Sequence, residues 1–272
     1  MIASTDKYEA YFRGDVLYGE DLTPAEIEAW YEDEQEGYAN LGAKERESYV
    51  YCYHALNRMH CFSRLPEGPF DSVLGFGSAY GDELEPIGPS AKSITIVDPS
   101  DAFTSSEIYG VPVRYVKPTI SGDLPFDDNS FDLICCFGVL HHVPNVSHVI
   151  KEFGRVAKPG AYVALREPIV TMGDWRQPRG GLTKNERGIP LKLMKKFVTD
   201  AGLQTEYESF CDFALTPRIF AHVTRGPVYN SDFVVKVDKA IANGLAWHSS
   251  YHARSNFDKI RPASFAIVAR KG

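Results

Sequence analysis

Residues 121–168 read SGDLPFDDNSFDLICCFGVLHHVPNVSHVIKEFGRVAKPGAYVALREP, and this stretch decides the fold. The apolar run from Leu133 to Val139 follows a turn-forming segment, which suits a strand buried on both faces of a parallel sheet. Val146 to Val156 carries apolar residues at helical spacing, and the breaker Lys158-Pro159-Gly160 ends that helix. Tyr162 to Leu165 is the next apolar run. The stretch therefore predicts a strand, helix, strand unit.

Polar residues stand where both strands of this unit end. His141 and His142 follow the first strand, and Arg166 and Glu167 end the second. In open α/β sheets the ligand lies in a crevice outside the carboxyl ends of the strands. We therefore expect the functional residues on these loops.

A glycine-containing loop precedes the unit along the chain. Residues 73–81 read VLGFGSAYG after a strand signal, and a glycine at such a bend allows positive φ and close approach of a ligand to the backbone. The next strand, Ser93 to Val97, ends in Asp98, whose carboxylate can accept hydrogen bonds from both ribose hydroxyls. Nucleotide dehydrogenases share this geometry, so Asp98 alone leaves the kind of nucleoside ligand open.

Four blocks between about Ser72 and Pro168 resemble the class I S-adenosylmethionine-dependent methyltransferases, in particular their small-molecule branch, methyltransferase type 11. The blocks match that branch in content, order and spacing: Asp123-Leu124-Pro125-Phe126, Asn129-Ser130-Phe131-Asp132, Leu140-His141-His142, and Arg155-Val156 with Lys158-Pro159-Gly160. The resemblance implies an α/β fold with a Rossmann-like, doubly wound seven-stranded sheet and an antiparallel last strand. It also implies S-adenosylmethionine as cofactor and S-adenosylhomocysteine as product.

The resemblance places the methyl donor on the loops after the first four strands. Gly77 and Gly81 match the family's glycines, Ala79 replaces the middle one, and Gly75 stands where the family has an acid that helps to hold the donor's amino group. We expect Asp82, Glu83 or water to replace that acid. The expected donor-binding residues are Gly77, Ser78, Ala79, Gly81, Asp98, Pro99, Asp123, Leu124, Phe137, Gly138 and His142.

Two features favour this donor over a dinucleotide. Pro86, Gly88 and Pro89 leave little room for the long helix whose amino end binds a pyrophosphate, and S-adenosylmethionine carries no phosphate. Asp123, before Leu124, resembles the acid that contacts adenine in the family. The sequence therefore favours a methyl donor site.

The acceptor side is expected to carry a general base and polar recognition groups. An alcohol acceptor must lose its proton, and a histidine with a pKa near neutral suits that role. The candidates for catalysis are His141, Glu167, His248 and His252, each of which could instead be structural. The candidates for acceptor binding are Arg166, Trp175, Arg176, Arg179, Trp247, Tyr251 and Arg254.

The chain divides into a leading helical segment, residues 1–68, and a methyltransferase domain, residues 69–272. In the first, Tyr49 to His60 has helical spacing, and Tyr8, Tyr11, Phe12 and Tyr18 are candidates for a lid. In the second, an insertion at about 211–262 separates the sixth strand from the seventh, Ser264 to Ala269. It contains a predicted helix from Asp232 to Ala246 and is a natural place for substrate recognition.

Composition narrows the class of protein. With 272 residues, 44% of them hydrophobic, the chain can bury a large core, and a net charge of -7 argues against a surface that tracks nucleic-acid phosphates. We expect a cytoplasmic protein without a membrane segment, because no apolar run approaches about twenty residues. The five cysteines are scattered, so we expect reduced packing cysteines and no metal site.

These features together predict methyl transfer from S-adenosylmethionine to a small polar acceptor. Oxygen of a sugar or a secondary metabolite is the favoured site of transfer, with nitrogen or carbon as the alternative. A regulatory module that binds the donor without catalysis remains the alternative from another class. The expected partner is the small-molecule acceptor, and the oligomeric state is left open.

Overall fold

A computed structural model describes residues 4–41, 46, 48–100 and 103–272. Three helices lead the chain: α1 (Ser4–Arg13), α2 (Pro24–Leu41) and α3 (His54–His60). Within these described ranges, no helix combines the length and the apolar character needed to cross a bilayer. Helices account for most of the described part of the leading segment.

Eight strands form one mixed sheet. They are β1 (Val73–Phe76), β2 (Ile94–Val97), β3 (Glu107–Ile108), β4 (Val111–Val116), β5 (Phe131–Phe137), β6 (Ala157–Pro168), β7 (Leu203–Phe213) and β8 (Pro262–Lys271). Their order across the sheet is β3-β4-β2-β1-β5-β6-β8-β7. Five neighbouring strands pair in parallel, in the order β4, β2, β1, β5 and β6 across the sheet. Strand β8 is antiparallel to both β6 and β7. This confirms the predicted Rossmann-like fold with an antiparallel last strand.

The sheet has one strand more than the seven expected, because the short edge strand β3 pairs with β4. Ile108 opposes Val111, so only Tyr109 and Gly110 form the connecting loop. Both have positive φ, 54° and 77°, as in the type I′ turns that join two-residue hairpins. The extra strand leaves the order of the other seven unchanged.

Helices cover both faces of the sheet. Besides α1 to α3, they are α4 (Val146–Val156), α5 (Leu191–Asp200), α6 (Thr216–Phe220) and α7 (Asp232–Gly244). Helices α4 and α5 share a buried apolar cluster with Ile134 of β5, while α3 and α7 share a second cluster with Leu133 and Cys135 of the same strand. Alternate residues of β5 thus serve opposite faces, which explains its nearly continuous apolar sequence.

Helix α3 is shorter than the sequence spacing predicts, since it begins at His54 and not near Tyr49. The ring of Tyr49 packs against that of Tyr80, with centroids 5.2 Å apart. The hydroxyl of Tyr51 lies 3.3 Å from Oε2 of Glu83. These contacts hold the residues before His54 against the loop that follows β1.

The insertion lies between β7 and β8, at residues 214–261. It leaves and re-enters the sheet at adjacent positions, because Phe213 pairs with Pro262. Helix α7 is anchored by the Asp238 carboxylate, which accepts hydrogen bonds from the N–H groups of Asp212 and Phe213 at 2.9 and 2.8 Å. The predicted helix therefore forms and is tied to the end of β7.

Aromatic side chains join the leading segment to the rest of the molecule. Trp175, in the loop after β6, packs between Phe12 of α1 and Tyr18, with ring centroids 4.8 and 5.3 Å away. The ring of His252, near the end of the insertion, lies 4.4 Å from that of Phe12. Three distant parts of the chain meet here. The lid role of Tyr8, Tyr11, Phe12 and Tyr18 stays a prediction.

Candidate functional site

A pocket opens where the order of the strands reverses, outside the carboxyl ends of β1 and β5 and their neighbours. Ligands of doubly wound sheets bind at this switch point. Helix α2 completes the wall with Tyr31 and Glu34. The lining residues are Tyr31, Glu34, Phe76, Gly77, Val97, Asp98, Pro99, Lys117, Pro118, Thr119, Ile120, Gly138, Val139, His142 and Val143.

The loop after β1 is shaped for close approach to the pocket. Gly77 has φ of +67°, and a Cβ there would overlap the side chain of Val139. Ala79 has φ of 45°, a left-handed conformation that costs an alanine more than a glycine. The loop is secured by the Asp98 carboxylate, which accepts the N–H of Ala79 at 3.1 Å. The alanine that replaces the family's glycine thus keeps a bent loop.

Asp98 is a buried carboxylate at the end of β2. Its Oδ1 accepts the N–H of Ser100 at 2.9 Å, and its side chain lines the pocket. Burial raises the pKa of Asp98, and the hydrogen bonds from Ser100 and Ala79 act in the opposite direction. Each carboxylate oxygen has further lone pairs, so Asp98 can accept the two hydroxyls of a ribose.

Glu83 is one of the expected replacements for the acid that is absent at Gly75, and its carboxyl lies close to that position. A Cβ at Gly75 would overlap Oγ of Ser78, and that hydroxyl donates to Oε1 of Glu83. Asp82 is instead paired with Arg46 outside the loop. Burial raises the pKa of Glu83 to about 8, although the Ser78 hydrogen bond and the charge of Arg166 lower it.

His141 and Glu167 form a buried pair behind Gly138. Nδ1 of His141 lies 2.9 Å from Oε2 of Glu167, and Oε1 of Glu167 accepts the N–H groups of Val139 and Leu140 at 2.8 and 3.0 Å. Burial would raise the pKa of Glu167, but these hydrogen bonds outweigh it and hold the pKa below its usual value. The ionised carboxylate only accepts, so Nδ1 of His141 carries the proton.

The remaining nitrogen of His141 is therefore a lone-pair acceptor. Burial, and next the neighbouring His142, lower the pKa of His141, against the raising effect of Glu167. A neutral imidazole oriented by a carboxylate is the arrangement of a general base. Oε1 of Glu186 lies 3.6 Å from Nε2 of His141.

A second imidazole and carboxylate pair lies beside the first. Nδ1 of His142 is 2.9 Å from Oε2 of Glu34, and the same oxygen accepts the hydroxyl of Thr183 at 2.6 Å. Glu34 and His142 are more than a hundred residues apart in sequence and both line the pocket. Helix α2 is thereby tied to the loop after β5 and to the segment after β6.

The buried Arg187 and the partly buried Arg179 hold these loops by their main-chain carbonyls. The Arg187 guanidinium donates to the carbonyls of His141 and Val143 at 3.0 and 2.9 Å. The Arg179 guanidinium donates to the carbonyls of Glu186, Thr183, Lys184 and Met172. Arg179 was predicted to bind the acceptor, and its contacts here are those of a loop support.

His141, His142 and Glu186 also bring three possible metal-ligand atoms within 4.8 Å of one another. Two imidazoles and one carboxylate form a donor set that several transition metals use. The expectation that the protein works without a metal therefore stays a prediction.

Five of the predicted donor residues line the pocket: Gly77, Asp98, Pro99, Gly138 and His142. Ser78, Ala79 and Gly81 shape its loop. The side chain of Asp123 is 59% exposed and lies 2.8 Å from Nε2 of His148, while Leu124 is buried and donates its N–H to Glu152. Phe137 packs against Phe62. The roles of all these residues remain predictions.

The predicted acceptor residues are scattered. Arg176 pairs with Asp174, Trp247 is 75% exposed, and Arg254 lies 4.0 Å from Glu9. His248 contacts the carbonyl of Phe257 at 3.2 Å, and His252 contacts the hydroxyl of Thr171 at 3.0 Å. Tyr251 donates to the carbonyl of Gly188 at 2.7 Å. Among the residues that line the pocket, none comes from the insertion.

Sequence reasoning missed Tyr31, Glu34 and Glu186. Tyr31 and Glu34 are three residues apart, so they share one face of α2. Both residues belong to the acidic stretch from Glu28 to Glu36. A stretch with this composition is typical of a helix exposed to solvent, so the sequence did not indicate that one face lines a pocket. A tyrosine at this spacing from a glutamate was the available signal, and Glu186 offered none.

Comparisons with known proteins agree with this geometry. Residues 74–165 match the Methyltransf_11 family model, described as a methyltransferase domain. A ubiquinone biosynthesis O-methyltransferase of Shewanella pealeana is 37% identical over 118 residues, which are 40% of this chain and 50% of that protein. A demethylmenaquinone methyltransferase of Bacillus cereus is 47% identical over 45 residues, 16% of this chain and 19% of that one. The matched part is at most about half of these two relatives.

Solved structures share the fold at low sequence identity. A putative methyltransferase of Bacillus halodurans has a TM-score of 0.51 at 16% identity and covers 75% of this chain and 94% of its own. A putative methyltransferase of Haloferax volcanii, solved in complex with a methyltransferase activator, has a TM-score of 0.53 at 15% identity. The match covers 90% of this chain and 97% of that one. At these low identities, the similarities to solved structures show a shared fold.

The pocket also fits the cofactor that the family uses. Gly77 has no side chain and presents bare backbone to the pocket, and the buried Asp98 offers acceptors for ribose hydroxyls. With the matching family model, these features identify residues 74–165 as a class I S-adenosylmethionine-dependent methyltransferase domain of the type 11 branch.

Proposed function

We propose that the protein transfers the methyl group of S-adenosylmethionine to a hydroxyl of a small acceptor molecule. The observation that carries this proposal is the buried His141 and Glu167 pair, 2.9 Å apart, beside the pocket residue Gly138. When bound, S-adenosylmethionine supplies a methyl group on a positively charged sulfur. What this chain must add is alignment and removal of the hydroxyl proton.

In this mechanism Nε2 of His141 accepts the hydroxyl proton while the bond from oxygen to the methyl carbon forms and the bond from that carbon to the donor's sulfur breaks. Glu167 holds the ring in the tautomer that leaves Nε2 unprotonated, and it stabilises the imidazolium that forms. Asp98 holds the ribose, and the loop at Gly77 lets the donor approach the backbone. Glu167 is fully buried and engaged by two main-chain N–H groups, so it acts as a positioning residue and not as the base.

A phenolic hydroxyl suits this base better than a sugar hydroxyl. Burial lowers the pKa of His141, which makes it a weak base. A phenol, with a pKa near that of tyrosine, about 10, releases its proton far more readily than an aliphatic alcohol. The name of the Shewanella relative, an O-methyltransferase of ubiquinone biosynthesis, also favours oxygen as the site of transfer.

Transfer of a labelled methyl group from the donor to defined acceptors tests the proposal. The acceptors are a catechol, a pyranoside and a primary amine, and we expect label in the catechol. His141→Gln should lower kcat by about a hundredfold or more, with the Kd for the donor unchanged. The exposed His222→Gln variant is the matched control.

Two outcomes would contradict this mechanism. Label in the amine, with full turnover by His141→Gln, would mean a nitrogen acceptor and incidental histidines. Donor binding without transfer to any acceptor in a cell extract would favour the regulatory module that lacks catalysis.

A further inference from the structure

Arg166 is a buried cation next to the donor pocket. It is 4% exposed, and in the sheet it pairs with Phe137, the residue before Gly138. A Cβ placed on Gly138 would lie 3.7 and 3.9 Å from the two terminal nitrogens of Arg166. Gly138 lines the pocket and has no side chain, so the guanidinium lies next to a residue of the pocket wall that presents only backbone.

The guanidinium has few partners for its charge. Its Nε donates to Oδ1 of Asn57 at 2.7 Å, and its carbon lies 4.6 Å from the centroid of the Tyr53 ring. Among the described residues, no carboxylate forms an ion pair with it within 4.0 Å, and the Asn57 contact is its one side-chain hydrogen bond. Burying a guanidinium is costly unless an anion pairs with it.

The ionised Glu167 acts on Arg166 through its charge, but its oxygens are engaged by the N–H groups of Val139 and Leu140 and by His141. The polar groups that Arg166 contacts do not supply an anion. Asn57 donates to the hydroxyl of Tyr51, which in turn lies 3.3 Å from Oε2 of Glu83. Because burial raises the pKa of Glu83 to about 8, this carboxyl is mostly protonated at pH 7 in the absence of a ligand. The connected cluster of Arg166, Asn57, Tyr51 and Glu83 therefore carries a net positive charge.

We propose that Arg166 binds the carboxylate of the donor's methionine tail. The inference rests on the proposed function, since it assumes that the pocket takes S-adenosylmethionine. A planar guanidinium can hold a carboxylate by two parallel hydrogen bonds. Arg166 was predicted from the sequence to bind the acceptor, and this assignment places it on the donor side instead.

The dimensions of the sheet agree with this assignment. Asp98 follows β2 and Gly138 follows β5, with β1 between them, so they are about 10 Å apart at roughly 4.8 Å per strand. Seven single bonds separate C3′ of the ribose from the carboxylate carbon of the donor, a reach of about 8 Å at roughly 1.2 Å per bond of an extended chain. A donor held at Asp98 can therefore extend to the neighbourhood of Gly138, the pocket residue beside the terminal nitrogens of Arg166.

The assignment also accounts for the missing acid at Gly75. In the type 11 family that acid helps to hold the donor's amino group, and here the corresponding carboxyl belongs to Glu83, next to Ser78. On this assignment Arg166 from β6 holds the donor's carboxylate. The Glu83 carboxyl, which accepts hydrogen bonds even when it is protonated, is placed to take the amino group. Neither residue belongs to the family's glycine motif.

Two ligands that differ only in this tail provide the test. S-adenosylhomocysteine has the carboxylate, whereas 5′-methylthioadenosine lacks the amino-acid end. Isothermal titration calorimetry of the purified full chain with each ligand compares wild type with Arg166→Gln. We expect the variant to lose about 10- to 100-fold in affinity for S-adenosylhomocysteine and to bind 5′-methylthioadenosine unchanged. Arg166→Lys should fall between, because a lysine keeps the charge without the bidentate geometry.

The same titrations distinguish carboxylate binding from a structural role and from acceptor binding. The exposed Arg225→Gln is the control and should bind both ligands as wild type does. Equal losses for both ligands in Arg166→Gln would overturn the proposal and make Arg166 a structural residue. Unchanged affinity for both ligands with a raised KM for an anionic acceptor would overturn it in favour of an acceptor carboxylate. If wild type binds neither ligand, the proposed function itself fails.

Discussion

The proposed donor side of the pocket, at Gly77 and Asp98, and the proposed acceptor side, at the two histidines after β5, differ in how far apart their parts lie along the chain. His142, predicted from the sequence to bind the donor, is grouped with the acceptor side because its ring lies beside that of His141. Gly77 and Asp98 follow neighbouring strands and meet because the strands pair. On the acceptor side, His142 meets Glu34 and Thr183, which lie on α2 and in the segment after β6. The donor side thus follows from sheet topology. The acceptor side depends on the tertiary packing of segments outside the sheet.

The electrostatics differ in the same way. Asp98 is a single carboxylate supported by two main-chain N–H groups. The acceptor side concentrates Glu34, Glu167 and Glu186 around two imidazoles, all of them buried except the partly buried His142. Burying so many titratable groups together is costly, and such clusters concentrate at functional sites. Variants of each side should therefore have separable effects.

Glu167→Gln should have the largest effect and should act on turnover alone. The glutamine amide would donate to Nδ1 of His141, so Nε2 would carry the proton and could no longer accept one. We expect kcat to fall by about a hundredfold or more. The donor's Kd, measured by calorimetry, should stay within about twofold, since the Glu167 carboxylate is already engaged by His141 and by two main-chain N–H groups. Normal turnover by Glu167→Gln would contradict the proposal that the two sides of the pocket have separate roles.

Asp98→Ala should give the next largest effect, this time on donor affinity. Two charge-assisted hydrogen bonds to the ribose would be lost, which predicts about a hundredfold weaker binding of S-adenosylhomocysteine by calorimetry. Asp98→Asn keeps the shape and one acceptor oxygen, and it should lose about tenfold. A donor affinity that survives both substitutions would mean that the ribose does not sit at β2.

His60→Leu removes a buried imidazole that has no hydrogen-bond partner, and it shows what burial of a histidine costs when no carboxylate holds the ring. Both ring nitrogens of His60 are buried without a hydrogen bond in the described structure, whereas His141 is held by Glu167. Burial lowers the pKa of His60 to about 3. The unfolded state therefore binds more protons between pH 3 and 6.5, and the native protein loses stability as the pH falls through that window.

Chemical denaturation at several pH values measures this effect. Wild type should lose up to about 1.4 kcal/mol per pH unit below pH 6.5 from His60, and His60→Leu should lose correspondingly less. Above pH 7 the variant should be at least as stable as wild type. Parallel pH curves for the two proteins would show that His60 is not buried in its neutral form.

Trp247→Ala should have the smallest effect. The side chain is 75% exposed, and the residues that line the pocket do not include it. We expect changes within about 0.5 kcal/mol in the free energy of unfolding and no change in turnover. A raised KM for the acceptor would instead support the prediction from sequence that Trp247 binds it, and would extend the acceptor side into the insertion.

The sequence predicts the donor side well because its residues follow strand ends. Local patterns in the sequence predicted the strands, helix α4 and the position of Asp98. They also predicted that no long helix follows Gly81. Glu34 was not, because an acidic helix looks the same whether its glutamates are solvated or face an imidazole. Arg179 and Arg187 were equally ambiguous, since bonding to main-chain carbonyls leaves no pattern in the sequence.

The adjacency of Phe213 and Pro262 has a consequence for how freely the insertion can change. A loop whose ends are already paired strands pays for its length only through closure entropy, about 0.6 kcal/mol for each doubling. The largely exposed residues 221–226 of this segment can therefore lengthen or shorten while the sheet stays folded, whereas α7 cannot be exchanged without opening the core cluster that it shares with α3. New recognition groups can be added in that exposed stretch at little risk to stability.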